Sequence, residues 1–260
     1  MERPLRSGDR ALSGRVALVT GAGAGIGAAS ASTLAYRGAQ VIVADRDLVA
    51  ARRTAEAIGG TPVRLDVRSD EAWGAMTARA DLPGPITIAH LNAGIMTRPL
   101  YPYAIESVSI DDVSDLFDVN VIGVVNGFRH LVPAMEAAGG GSIVVTSSVA
   151  GLVPFADEPL YAATKHALVG LATSLAEPLA GRGINVNVVC PSGTDTALLS
   201  PARRAAASWS EDELMPPERV AGVVVSLLSC TQHGEVWAVT ADRGVFRMDR
   251  PRRLGRPIGG

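Results

Sequence analysis

Short runs of β-branched and aliphatic residues punctuate the chain, separated by longer stretches rich in Ala and Leu. The runs are VALVT (16–20), VIVAD (41–45), VRLDV (63–67), ITIAHL (86–91), SIVVTS (142–147), INVNVVC (184–190) and EVWAVT (235–240). Most are apolar throughout instead of at alternate positions, the pattern of strands covered on both faces. The stretches between them have helical character, so strand and helix alternate. Repeated right-handed βαβ units build an open parallel sheet with helices on both sides. The pattern predicts an α/β fold, a doubly wound and mainly parallel sheet of seven strands, in one domain over 1–260.

Two segments break the alternation. Residues 95–111 follow the fourth run and 197–217 the sixth. Both leave the carboxyl ends of strands, where such sheets bind ligands, so they are candidates for a pocket wall and a substrate lid. Residues 1–11 read as a polar N-terminal extension without the apolar core of a signal peptide. The tail, 247–260, holds five arginines against one aspartate and reads as a solvated or subunit-packing segment. No apolar run approaches the ~18 residues that span a bilayer.

Charge narrows the function classes. A net charge of −2 with 47% hydrophobic residues gives no reason to expect nucleic acid or a membrane as partner. Cys190 and Cys230 lie far apart in the chain, with no CxxC and no nearby histidine pair. No metal site is expected. Two buried, reduced thiols in a cytoplasmic protein is the plain reading.

The first run leads into TGAGAGIG, Thr20 to Gly27. These glycines follow T-G-x-x-x-G-x-G. They allow a tight strand-to-helix turn and bring backbone N–H groups and a helix N-terminus close to a pyrophosphate. Asp45 ends the second run, one helix beyond Gly27, and is placed to accept hydrogen bonds from an adenosine ribose. Together they predict a Rossmann-type dinucleotide site. A carboxylate there repels a 2′-phosphate, which favours NAD over NADP. Arg46 beside it is the complication, because an arginine pairs with such a phosphate.

The chain has 24 basic side chains, and the only lysine is Lys165, in YAATK, at position i+4 from Tyr161. A free phenol ionises near ~10, too high for a good base at neutrality. Lowering it by about three units takes ~4 kcal/mol of preferential stabilisation of the phenolate. A cation at i+4 on a helix shares the tyrosine's face and supplies it.

With these motifs together, the chain resembles the short-chain dehydrogenase/reductase family from about Leu12 to Thr196. TGAGAGIG is similar to the family's glycine loop, LDV (65–67) to its adenine-pocket D-V and LNAG (91–94) to its N-N-A-G. Asn120 in DVNVIG matches its helix asparagine, and YAATK its Y-x-x-x-K. Ser148 precedes Tyr161 at the family's spacing; Ser147 is the neighbouring alternative. The resemblance implies a catalytic set of Asn120, Ser148, Tyr161 and Lys165. In it the lysine also holds the nicotinamide ribose and passes protons onward, which a compact, titratable ammonium does and a guanidinium does not. Ser148 orients the substrate oxygen, and Asn120 anchors a water in the proton relay. The cofactor residues it implies are Gly21, Ala24, Gly25, Ile26, Gly27, Asp45, Arg46, Asp66, Val67, Asn92, Ala93, Gly94, Pro191, Thr194 and Thr196, with Tyr161 and Lys165. Three departures stand out: Leu91 for the first asparagine of N-N-A-G, Ser192 for the glycine of P-G, and no D-G-G after the last strand. That end often forms a subunit interface, so a homotetramer or homodimer is the family's expectation.

The expected function is an NAD-dependent oxidoreductase acting on a secondary alcohol or its ketone. An NADP-dependent biosynthetic ketoreductase shares the chemistry, and a dinucleotide-binding regulator without turnover needs no complete Asn–Ser–Tyr–Lys set. Ile95, Met96, Val149, Phe155, Leu198, Leu199 and Met215 point to an apolar or cyclic substrate; Arg98, Arg203 and Arg204 are the alternative for an anionic one. His90 reads as strand core and His166 as a packing residue. Trp209 reads equally as lid packing or substrate contact. Pro178 should kink or end its helix away from the chemistry.

Overall fold

The computed structural model describes residues 11–96, 105–199 and 214–249. β1 (Val16–Thr20) leads to α1 (Gly25–Tyr36), β2 (Gln40–Asp45), α2 (Leu48–Ile58), β3 (Thr61–Arg64), α3 (Asp70–Thr77) and β4 (Ile86–Leu91). There follow α4 (Ile110–Phe117), a π-helical turn (Asp118–Ile122), α5 (Gly123–Ala137), β5 (Gly141–Thr146), α6 (Pro159–Ala180) and β6 (Ile184–Pro191). α7 (Pro217–Ser229), β7 (Val236–Thr240) and β8 (Gly244–Arg247) close the order. The strands lie as β3-β2-β1-β4-β5-β6-β7-β8. The order reverses between β1 and β4, and ligands bind doubly wound sheets at such a switch point.

The continuous apolar runs are explained by two buried faces. Leu18, Ile42, Leu91, Ile143 and Val145 join Leu131 of α5 and Leu168 of α6 in one core cluster. Their neighbours Val19, Val43, Ile88 and Val144 join Leu34 of α1 and Val224 of α7 in the other. Successive strand residues point to opposite faces, so both sets must be apolar.

Among the described residues eight strands are present where the runs predict seven. β8 pairs antiparallel with β7, with Thr240 opposite Gly244, so a short loop over 241–243 closes the hairpin. Gly244 has φ 84°, the left-handed conformation such loops need. The strand escapes an apolar-run reading because it is an edge whose residues alternate between half-buried and exposed. The third strand ends at Arg64, short of LDV: Leu65 N–H still donates to Asp45 O, and the chain then turns at Asp66, whose carbonyl accepts from Ser69 N–H.

Neither cysteine forms a disulfide, but only Cys190 is buried; Cys230, just past α7, is partly exposed. Pro178 lies inside α6 close to its end, well beyond Lys165. Among the described residues no helix is long and apolar enough to cross a membrane. Residues 1–10, most of the expected lid (200–213), and 250–260 of the tail lie outside the described residues, as do Arg98, Arg203, Arg204 and Trp209.

Candidate active site

The glycine loop is built by close approach. A Cβ on Gly21, whose φ is 64°, would lie 2.9 Å from Ala93 Cα. One on Gly27 would collide with Gly21 O, so this turn admits only hydrogen at both positions. Thr20 Oγ1 accepts from Asn92 N–H at 2.9 Å and Ala93 N–H at 3.1 Å, fastening the end of β4 to the loop. α1 then starts at Gly25 behind Ala24, with no side chain capping it. No side chain takes up the free N–H groups that a helix start offers, and Ala24, Gly25 and Ile26 line the cavity wall there.

Asp45 has a local structural task as well. One carboxylate oxygen accepts from Gly23 N–H at 2.9 Å and the other from Asp47 N–H at 3.0 Å. Arg53 Nη2 holds Gly23 from the other side, donating to its carbonyl at 3.2 Å. Asp66 is paired with Arg68, Nη2 to Oδ2 at 2.7 Å. That side-chain hydrogen bond holds the Asp66 carboxyl below the usual range. These residues fit a dinucleotide: an uncapped helix start, a cradle that a Cβ would fill, and carboxylates at the far end.

At the other end, α6 carries Tyr161 and Lys165 one turn apart. Both are buried, at 7% and 3% exposure. Lys165 Nζ lies 5.4 Å from the centre of the Tyr161 ring and donates to Thr146 O at 3.3 Å. Burial pushes the Lys165 pKa down to about 8, with nearby Cys190 acting in the opposite direction. The two serines have different partners. Ser147 Oγ donates to Lys165 O at 2.8 Å and so pins α6 to the end of β5. Ser148 Oγ, on the cavity wall, donates to Pro191 O at 3.3 Å.

Asn120 is fully buried in the π-helical turn and lies behind the wall. Its Nδ2 donates to Ile95 O at 2.9 Å and to Thr164 Oγ1 at 3.1 Å, while its Oδ1 accepts from Ile95 N–H at 2.8 Å. The widened turn explains an asparagine inside a helical stretch, where regular geometry disfavours it. A Cβ on Gly94 would meet Asn120 Oδ1 at 3.3 Å and Lys165 Nζ at 3.4 Å, so both groups flank that glycine.

The cavity, of about 460 Å³, runs from Asp45 and Arg46 to Tyr161 and onward to Ile95, Met96, Val149, Phe155, Leu198 and Leu199. All the cofactor residues nominated from the sequence line it except Gly27, which is packed on Gly21 behind the wall. Met215 does not line it. It is 1% exposed in the core against α1 and α7, and its N–H donates to Gly193 O, so it tethers the loop after β6 from below. Among the described lining residues, Arg46 and Arg68 are cations at the Asp45–Asp66 end, and Lys165 is the cation at the apolar end. His166 is exposed, not packed: its Nδ1 lies 2.9 Å from Ala162 O on its own helix. The sequence reading misses Thr146, Thr164 and Arg68. Thr164 is inside YAATK, but Thr146 ends an apolar run and carries no motif of its own.

A fold with its switch point at a glycine loop, and a Tyr–Lys helix across the cavity, defines a class. Residues 15–207 match the family of short-chain dehydrogenases, and the chain belongs to that family as an oxidoreductase. It is 35% identical over 230 residues to cyclohexanol dehydrogenase of Acinetobacter sp. (strain SE19), covering 83% of this chain and 88% of that one. It is also 35% identical to trans-4-hydroxycyclohexanecarboxylate dehydrogenase of Sinomonas cyclohexanicum, over 73% of this chain and 76% of that one. The crystal structure of 3-ketoacyl-(acyl-carrier-protein) reductase from Brucella melitensis complexed with NADH is similar with a TM-score of 0.80. Its sequence is 30% identical, and the match covers 89% of this chain and 98% of that one.

Proposed function

We propose that the protein interconverts an apolar, cyclic secondary alcohol and its ketone, with NAD as hydride carrier and Tyr161 as general acid–base. NAD supplies the hydride acceptor for alcohol oxidation. The first turn of α1 and Gly21, Gly25 and Ile26 hold its pyrophosphate, Asp45 and Arg46 its adenosine ribose, and Asp66 and Val67 its adenine. Asn92, Ala93, Gly94, Pro191, Thr194 and Thr196 enclose the nicotinamide side. Tyr161, as phenolate, takes the alcohol's hydroxyl proton as the carbon bearing that hydroxyl gives up a hydride. Lys165 stabilises that phenolate and passes protons onward, and Asn120, next to Nζ across Gly94, anchors the exit path. Ser148 donates to the substrate oxygen as charge develops on it.

The observation that carries this reading is the buried Tyr161–Lys165 pair where the cradle meets the apolar pocket. The substrate class is supported by the apolar end, by its lack of a second cation among the described lining residues, and by the ring alcohols named for the relatives. NAD over NADP rests on the Asp45 carboxylate. Arg46, on the same wall, favours the alternative of an NADP-dependent ketoreductase. The reduced thiols support a reducing, cytoplasmic setting, and a homo-oligomer is the family's habit.

The test is NADH formation with a panel of neutral and carboxylated secondary alcohols, for the unmodified protein, Tyr161→Phe and Lys165→Arg. Neutral cyclic alcohols should turn over. Both variants should lose ~10²–10⁴ in kcat, the usual worth of positioned proton transfer. Near-normal turnover of Lys165→Arg at neutral pH would overturn the role given to the ammonium. Turnover confined to carboxylated substrates would overturn the substrate class.

A further inference from the structure

His90 is fully buried on β4, outside the cavity wall, and no step above uses it. Its Nε2 lies 2.7 Å from Thr146 Oγ1, at the end of β5. Its other nitrogen, Nδ1, has no hydrogen-bond partner among the described residues. Burial pushes its pKa down to about 3, so the ring is neutral at any working pH and is no proton acceptor. A neutral imidazole has one N–H and one bare nitrogen. In either tautomer the ring makes its one hydrogen bond with the threonine hydroxyl and leaves Nδ1 unmatched. Packing alone favours an apolar side chain here, since an unmatched polar atom in the core costs stability.

We infer that His90 is a positioning residue for the Lys165 ammonium, acting across the sheet through Thr146. Register places His90 opposite Val144, whose side chain lies on the same face of β5 as that of Thr146. His90 and Thr146 therefore share the face of Ile88 and Val144, covered by α1 and α7. Lys165 comes from α6 on the opposite face and reaches around the strand end to Thr146 O. One threonine thus takes the imidazole on its side chain and the ammonium on its carbonyl. Holding that side chain fixes the end of β5 and, with it, the acceptor that aims Nζ along Gly94.

The inference rests on the role proposed for Lys165, but its test need not. Because Lys165 is the only lysine, protein labelled with 13C and 15N at lysine shows a single ε-amino group by NMR. That group is titrated in cofactor-free protein for the unmodified chain, His90→Leu, His90→Gln, Thr146→Val and the Leu/Val double variant. Tyr161 and the Cys190 thiol, the other titratable groups near Nζ, are the same in all five. The midpoint should move by about half to one pH unit in His90→Leu, the size of one weakened hydrogen bond. Glutamine, whose amide can donate to or accept from the threonine hydroxyl, should restore it. Thr146→Val should move it similarly, and the double variant no further, because the pair acts as a unit. In turnover, His90→Leu should lose about 10- to 100-fold in kcat, as for a misplaced catalytic group, in a protein that still folds. An unmoved midpoint in a folded His90→Leu overturns the inference, whatever its activity. Normal turnover of Lys165→Arg beside a moved midpoint overturns the catalytic role of the lysine and leaves the His90–Thr146–Lys165 linkage standing.

Discussion

Lys165 is a buried amino group whose pKa is lowered from 10.5 to about 8. The folded value lies below the unfolded one. Between about 8 and 10.5 the unfolded chain therefore binds a proton that the folded chain lacks, and stability contributed by this group rises with pH. Below about 8 the penalty is complete, worth about 3 kcal/mol by the usual conversion. Lys165→Met should thus be the more stable protein at pH 7 by up to that amount. Its advantage should shrink as the pH approaches 10.5. Urea midpoints of the cofactor-free proteins across that range check this; a constant gap would show that the amine is not desolvated. The i+4 spacing of Tyr161 and Lys165 is legible in the sequence because a helix fixes it locally. The difference between Ser147 and Ser148 is legible only as a spacing preference, since their partners, Lys165 O and Pro191 O, are distant in the chain.

At the scale of elements, the glycine loop and Asp45 form one unit. Asp45 both lines the end of the cavity away from Tyr161 and anchors Gly23 N–H. Two effects are therefore separable. Asp45→Asn keeps an acceptor for Gly23 and removes the charge, so the ratio of NADH to NADPH affinity should fall with little loss of stability. Asp45→Ser shortens the side chain, so the ratio should fall while the unfolding free energy drops by the cost of an unmatched buried N–H, about 1–3 kcal/mol. Equal stability of the two variants would mean that the anchor is idle. The loop is readable from residue types because only glycine tolerates its contacts. The π-helical turn around Asn120 is not, because it is set by Ile95 and Thr164 reaching the amide from two other segments. β8 escapes the pattern because its half-exposed residues have meaning only once β7 lies beside them.

Over the whole molecule, cofactor binding and folding are linked, since only the folded chain brings the cradle, Asp45 and Lys165 into one cavity. A ligand present at a hundred times its Kd adds about 2.7 kcal/mol. NADH should therefore raise the melting temperature more than NADPH at equal concentration, and the reverse order would show that Arg46 outweighs Asp45. The sequence by itself determined the alternation of buried strands and helices, the glycine turn and the helical Tyr–Lys pair. Each depends on contacts within a few residues, or on burial of both sheet faces. Only the tertiary structure decided what crosses between segments: Asn120 behind Gly94, Met215 in the core instead of the pocket, and Thr146 under the ammonium. These partners come from different strands, helices and loops, and no local periodicity records which side chains the packed sheet brings within hydrogen-bond reach.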